Sequence, residues 1–165
     1  MRQLIPDTLN AKLDEIVTKC FEGNRIADRG MSVISVKFAM NKTEKHLHST
    51  LAHKFPALAD VVSGFQDSRN NLTFYGLTPE DRSDYSSPSE FFEKMLEYMY
   101  DLENLITETA DIAREEDFAT FAFLTKFMGK VSDVTAQCIL LADKSQAYRN
   151  DIMGFDHRIK DFIIL

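Results

Sequence analysis

Apolar residues recur every three or four positions over long stretches of the chain, which is the spacing of amphipathic α-helices. From Leu9 to Phe38 this pattern is interrupted only at Asn24, and it predicts one long helix or two nearly collinear ones. Glycine costs about 1 kcal/mol relative to alanine inside a helix, so Gly23 and Gly30 weaken this segment. We expect any break to lie near Gly23.

A second periodic segment follows, with Asn41 or Thr43 as its capping residue, and it predicts a helix that runs to about Phe74. Pro56 lies inside this helix, where the missing N–H and the clash with the preceding turn predict a kink near Phe55. The expected buried positions are Leu47, Leu51, Phe55, Leu58, Val62, Phe65 and Leu72.

Two capping signals separate the rest of the chain into further helices. The segment YGLTPEDRSDYSSPSE predicts a loop, and Ser87, Pro88 and Glu90 at its end form a capping box with proline at the first helical position. The third helix is therefore predicted to begin at Pro88, and Asp117 is predicted to cap a fourth. The last residues predict a short helix that ends in an apolar patch, residues 162–165, which a neighbouring subunit would cover.

Four long amphipathic helices favour an all-α four-helix bundle, because each apolar stripe is buried against the other three. The 165 residues suit one domain, residues 1–165. No apolar run approaches the roughly 18 residues that cross a bilayer, and no leader is evident, so the expectations are no membrane and a cytoplasmic location. Cys20 and Cys138 fall on apolar stripes and are interpreted as core residues.

The net charge of −7 and the scattered basic residues argue against nucleic acid as a partner. An acidic surface suits cations, but it also serves ordinary solubility. The charge alone therefore does not distinguish these two roles.

The third and fourth helices resemble the ferritin and Dps group of proteins. The resemblance lies in SPSEFFEKMLEYMYDLENLITETADIAREEDFATFAFLTKFM and in LLADK, with weaker similarity to miniferritins in KFAMN, LAHKF and FQDSRNNLTFYG, and covers roughly residues 30–145. It implies a ferritin-like four-helix bundle, to which the tail predicted above adds a short C-terminal helix. It also implies a homo-oligomer that binds, oxidises or stores iron, with ferroxidase activity if an iron site forms.

A ferritin-like di-iron centre needs glutamates and a Glu-x-x-His pair that point into the bundle. In this resemblance Met99 stands where a glutamate is expected, Asp67 and Asn70 replace the Glu and His, and Asn24 is the polar position of the first helix. The fourth helix presents residues 129–133, GKVSD, at its expected ligand positions. We therefore predict that the centre within one subunit is missing.

Miniferritins build their iron site between two subunits, and the resemblance retains half of it. His53 and Asp67 match two ligands, whereas Ala39 and Asn71 replace the other two. An iron site between subunits would thus include His53 and Asp67.

A seven-residue repeat of possible ligands also runs along the second helix, roughly opposite its apolar stripe. The repeat consists of His46, His53, Asp60 and Asp67. Facing repeats in a dimer would form a cation site, and a single repeat is simply a solvated polar face. His48 borders the apolar stripe and is interpreted as a partly buried histidine rather than a ligand.

The third helix and the turn after it carry a cluster of acidic residues. The cluster, which favours either cation attraction or an exposed capping face, consists of Glu103, Glu108, Asp111, Glu115, Glu116 and Asp117. Three functional hypotheses follow: a ferritin- or Dps-like iron protein, a ferritin-like scaffold that has lost its metal centre and acts in structure or interaction, and an unrelated helical adaptor.

Overall fold

The computed structural model describes residues 2–165, which form helices and connecting segments and contain no strand. The helices are α1 (Asp7–Phe38), α2 (Asn41–Leu47), a π-helical turn (His48–Ala52), α3 (Lys54–Ser68), α4 (Pro88–Glu116), α5 (Phe118–Ala147), α6 (Ile152–His157) and a 3₁₀ turn (Ile159–Phe162). Within the bundle, α1 packs against α3 and α4, and α4 packs against α5. The predicted all-α four-helix bundle with a short C-terminal helix is confirmed.

α1 is one continuous helix through both of its glycines. Gly23 lies directly beneath the buried ring of Tyr98, and Gly30 lies beneath the ring of Phe91. A Cβ atom at either position would collide with these rings, so the two glycines allow α4 to approach α1 closely. α1 ends at Ala39, which has the left-handed φ of 57° and donates its N–H to the Ile34 carbonyl.

The second bundle helix is divided near Pro56, as predicted. The type of irregularity, a π-helical turn, is not evident from the apolar pattern. A π-helical turn occupies His48–Ala52, and α3 begins at Lys54, two residues before the proline. Because Pro56 has no N–H, the Ala52 carbonyl has no ordinary helical donor. The Asn24 side chain of α1 donates to this carbonyl instead, at 3.2 Å. Asn24 interrupts the apolar stripe of α1 because it satisfies this carbonyl.

α3 ends at Ser68, so the predicted continuation of the second helix to about Phe74 is wrong. Asn70 has a left-handed φ of 59°, and the Asn71 carboxamide accepts from the Ile5 N–H at 3.0 Å and donates to the Ile5 carbonyl at 3.0 Å. These bonds hold the chain against the N-terminal segment. Leu72, predicted to be buried, is 83% exposed as a result.

Residues 69–87 cross the molecule from the end of α3 to the start of α4 and follow α1 throughout. The N–H of Phe74 donates to the Asp14 carboxylate at 2.9 Å, and the ammonium of Lys37 donates to the Tyr85 carbonyl at 2.8 Å. The crossover is longer than the sequence suggests because α3 ends early. It places the starts of α3 and α4 at the same end of the bundle.

The predicted caps at Ser87 and Asp117 are confirmed, but the predicted cap of the second helix by Asn41 or Thr43 is wrong, because α2 begins after Met40 without a side-chain cap. The Ser87 hydroxyl accepts the Glu90 N–H at 3.3 Å, and the Asp117 carboxylate accepts the Thr120 N–H at 3.1 Å. The predicted C-terminal helix forms, but Phe162 is already buried within its own chain. The Gln137 side chain holds it there by donating to the Phe162 carbonyl at 2.7 Å, so no neighbouring subunit is required to cover Phe162.

Candidate metal centre

The middle of the bundle is filled by aromatic and aliphatic side chains. Tyr98 is buried over Gly23, and its hydroxyl donates to the Lys19 carbonyl at 2.5 Å. The Phe55 ring meets the Tyr98 ring edge-on, with 5.5 Å between the ring centres. This packing leaves the Tyr98 oxygen engaged with the backbone of α1.

The two cysteines are part of the same buried interior. Burial raises the pKa of the Cys20 thiol and of the Cys138 thiol to about 12 in each case. Burial likewise raises the pKa of Tyr98 well above its usual value. All three groups are therefore neutral at physiological pH and are poor ligands for a metal ion.

Carboxylates and imidazoles are the groups that a di-iron centre requires, and the interior offers almost none of them. Among residues 2–165, Asp156 is the only buried acidic residue, and it accepts the Thr43 N–H at 2.7 Å near the C-terminal end of the chain. No described histidine is buried. The donor groups present inside the bundle do not fit a pair of iron ions.

The positions that the resemblance assigns to a centre within one subunit do not converge. Met99 and Val131 are buried apolar residues, whereas Asp67 is exposed on the outer side of α3. Asn70 lies beyond the helix end and donates to the Arg2 carbonyl at 3.1 Å, and Asn24 is engaged with Ala52. These side chains therefore surround no common point in the bundle.

The seven-residue repeat lies on the outside of the molecule. His53, Asp60 and Asp67 are exposed, His46 is half-buried, and within residues 2–165 none of these four side chains has a hydrogen-bonding or ionic partner. Seven residues of helix span about 10 Å, so successive members along α3 cannot bind the same ion in one chain. No group of three or more His, Cys, Asp or Glu in the described residues is arranged to hold a metal ion.

A different set of polar residues does come together, at the π-helical turn. The His48 and His53 ring centres are 4.7 Å apart, and the Nδ1 atom of His48 lies 3.2 Å from the Asp28 carboxylate of α1. His48 is exposed rather than partly buried, because the π turn shifts its phase relative to the apolar stripe. Sequence reasoning missed this grouping; Pro56 signals an irregular helix but not its type.

The acidic cluster is largely engaged in structural contacts. Asp117 caps α5, and Asp111 forms an ion pair with Arg114. Glu116 accepts from the Thr8 hydroxyl at 3.2 Å, and Glu103 accepts from the Thr135 hydroxyl at 2.6 Å. These bonds support the interpretation of the cluster as a capping and packing surface.

Three solved structures share this arrangement of helices over nearly their whole length. An open-pore ferritin from the archaeon Archaeoglobus fulgidus has a TM-score of 0.87 and 17% identity, covering 96% of this chain and 97% of its own. The fold is ferritin-like. A humanized archaeal ferritin matches with a TM-score of 0.82 at 17% identity, covering 96% of each chain. A PmFTN variant soaked in iron matches with a TM-score of 0.82 at 16% identity, covering 91% of this chain and 98% of that one.

This chain and these ferritins share a fold, but their sequence identity is too low to indicate more than the fold. No protein-family model matches the chain, and no similar curated protein was found. Within residues 2–165, no helix is both long and apolar enough to span a membrane.

Proposed function

We propose that this chain is a self-associating ferritin-like subunit that acts as a structural or interaction scaffold and performs no di-iron chemistry inside its own bundle. The observation that carries this proposal is the packing of Tyr98 over Gly23, with Phe55 against the same ring. Aromatic side chains occupy the space around Gly23 between α1, α3 and α4, and among residues 2–165 no carboxylate or imidazole is buried there. In this chain the four-helix bundle is therefore a structural framework rather than a container for a metal centre.

The crossover supports self-association, because it carries a strip of large apolar side chains on its outer side. Leu72, Phe74, Tyr75 and Leu77 are each more than half exposed, and Leu77 reaches 98%. A second copy in a two-fold arrangement would present the same strip and cover these side chains. A second copy of the same chain is therefore the partner that best fits this surface, and the expected assembly is a homo-oligomer.

A second candidate function is iron binding between subunits, followed by oxidation or storage. It is favoured by His53 and Asp67, which are exposed and free of polar partners within residues 2–165. Here a carboxylate of one subunit and an imidazole of another would bind ferrous iron as substrate, and oxygen or peroxide would oxidise it. The predicted cytoplasmic location suits both candidates, and neither involves nucleic acid.

One experiment separates the two candidates. Metal-free protein is titrated anaerobically with ferrous iron and then exposed to oxygen, while light scattering reports the size of the assembly. The variants are His53→Ala, Asp67→Ala and Leu77→Asp, with His157→Ala as a control for loss of an exposed histidine. For the scaffold we expect an oligomer, no stoichiometric iron binding, and a shift of at least tenfold toward monomer in Leu77→Asp.

Stoichiometric iron binding that is lost in His53→Ala and Asp67→Ala but kept in His157→Ala would overturn the scaffold proposal in favour of the second candidate. Val36→Asp, at a site that is 85% exposed and toward the opposite end of α1 from the apolar strip beside Asp14 and Thr18, controls for charge alone. A wild-type monomer, or equal dissociation by Val36→Asp, would contradict self-association through the crossover.

A further inference from the structure

The π-helical turn brings together two imidazoles that an ordinary helix would separate. In an α-helix, residues five positions apart lie well apart around the axis, since each residue turns by about 100°. A π turn is wider, and at His48–Ala52 it places His48 and His53 on one side, with 4.7 Å between the ring centres. Such turns occur frequently at functional sites.

The spacing of the two rings suits a shared metal ion. Two imidazoles bound to one tetrahedral ion at the usual metal–nitrogen distance of about 2.0–2.1 Å hold their ring centres about 5 Å apart. The planes of the two rings are inclined by 66°. Both residues are exposed, so an ion reaches them from solvent without any movement of the bundle.

Asp28 completes the arrangement from the neighbouring helix. Its carboxylate lies 3.2 Å from the Nδ1 atom of His48, which leaves the Nε2 atom of that ring for a metal. A carboxylate behind a ligating histidine fixes the orientation of the ring and raises its basicity. The neighbouring Arg25 and Arg29 donate to the crossover carbonyls of Thr78 and Ser83, and the groove beside Asp28 and His48 also contains Glu44.

From these contacts we infer that His48 and His53 bind one divalent transition-metal ion of the zinc, nickel or copper class, with Asp28 as a positioning residue. Imidazole nitrogen favours these ions over magnesium and calcium, which prefer oxygen. Water completes the coordination, since two protein ligands leave positions open. The site lies within one chain and is independent of the proposed scaffold function and of self-association.

The test is a titration of the metal-free full-length protein with Zn²⁺. Isothermal calorimetry and NMR of the four histidine side chains monitor the titration. We expect one saturable equivalent per chain and shifts of the His48 and His53 imidazole signals only. His48→Ala and His53→Ala should each weaken binding at least tenfold, and Asp28→Asn should weaken it about tenfold. Mg²⁺ at the same concentrations should cause no shift.

The control variant is His46→Ala, which removes an imidazole just before the π turn and should leave binding unchanged. Asp67→Ala separates this site from iron binding between subunits and should also have no effect. Leu77→Asp tests independence from self-association and should retain full Zn²⁺ binding. No saturable binding in the wild type, or an equal loss in His46→Ala, would overturn the inference, and circular dichroism verifies that each variant is folded.

Discussion

α1 and the second bundle helix both contain residues that disfavour helices, yet only the second is divided. α1 continues through Gly23 and Gly30, whereas the other helix changes to a π turn ahead of Pro56. Glycine keeps its N–H and carbonyl, so the ladder of helical bonds is intact, and its missing side chain is replaced by an aromatic ring from α4. Proline removes a backbone donor, and only a side chain from another helix, Asn24, takes its place.

The difference teaches that the loss of a hydrogen bond divides a helix more readily than a low intrinsic propensity does. The same difference explains the polar side chains next to Pro56 and next to Gly23. Asn24 is required opposite Pro56 because it supplies the donor that the proline lacks. The Tyr98 hydroxyl over Gly23 instead adds a bond to the Lys19 carbonyl, within a helix whose ladder is already complete.

The largest effect is expected from Gly30→Ala, which tests the close approach of α4 to α1. The added Cβ would fall within the Phe91 ring, and overpacking of this kind costs about 1–3 kcal/mol of unfolding free energy. Gly129→Ala in α5 is the matched control, since a Cβ there meets no atom within 4 Å. That substitution should stabilise the protein by about 0.5–1 kcal/mol in urea denaturation. Equal stability of the two variants would contradict the packing argument.

An intermediate effect is expected from Asn24→Ala, which leaves the Ala52 carbonyl without its donor. The expected cost is about 1 kcal/mol. In a Pro56→Ala background the backbone N–H at position 56 is restored, and the cost of removing Asn24 should fall toward zero. A double-mutant cycle measured by chemical denaturation reports this coupling. Additive effects of the two substitutions would show that Asn24 and Pro56 are not linked.

The smallest effect is expected from Tyr98→Phe, which removes one hydroxyl above Gly23 and costs about 0.5 kcal/mol near neutral pH, because the Lys19 carbonyl keeps its helical donor. Burial raises the pKa of Tyr98 in the folded protein above the unfolded value of about 10. The neutral Tyr98 hydroxyl therefore contributes fully to the free energy of unfolding below about pH 10, and this contribution is lost as the pH rises above that value. The difference in stability between wild type and variant should therefore shrink above about pH 10. Urea denaturation at neutral and alkaline pH measures it, and a constant difference would contradict the burial of the phenol.

Local signals predicted local structure well. The caps at Ser87 and Asp117 are correct because each depends on residues three positions apart. Met99 and Val131, at positions where the resemblance expects metal ligands, are apolar in the sequence and buried in the structure.

Long-range contacts account for what the sequence pattern predicted wrongly. Leu72 and Phe74 continue the helical spacing, but Asn71 binds the backbone of Ile5 and turns the chain at that point. His48 borders the apolar stripe in sequence, but the π turn rotates it outward beside Asp28. Neither the partner of Asn71 nor the type of turn is encoded by neighbouring residues.

The amino-acid sequence by itself determined that this protein is a bundle of four amphipathic helices, where most of those helices begin, and that apolar side chains fill its interior. Periodicity and capping chemistry act over a few residues and are readable without a structure. Only the tertiary structure decided that α1 stays continuous, where α3 ends, and that His48, His53 and Asp28 lie together. Each of these depends on a hydrogen bond or a ring supplied by a distant helix or segment, and such partners are identified only once the chain has packed.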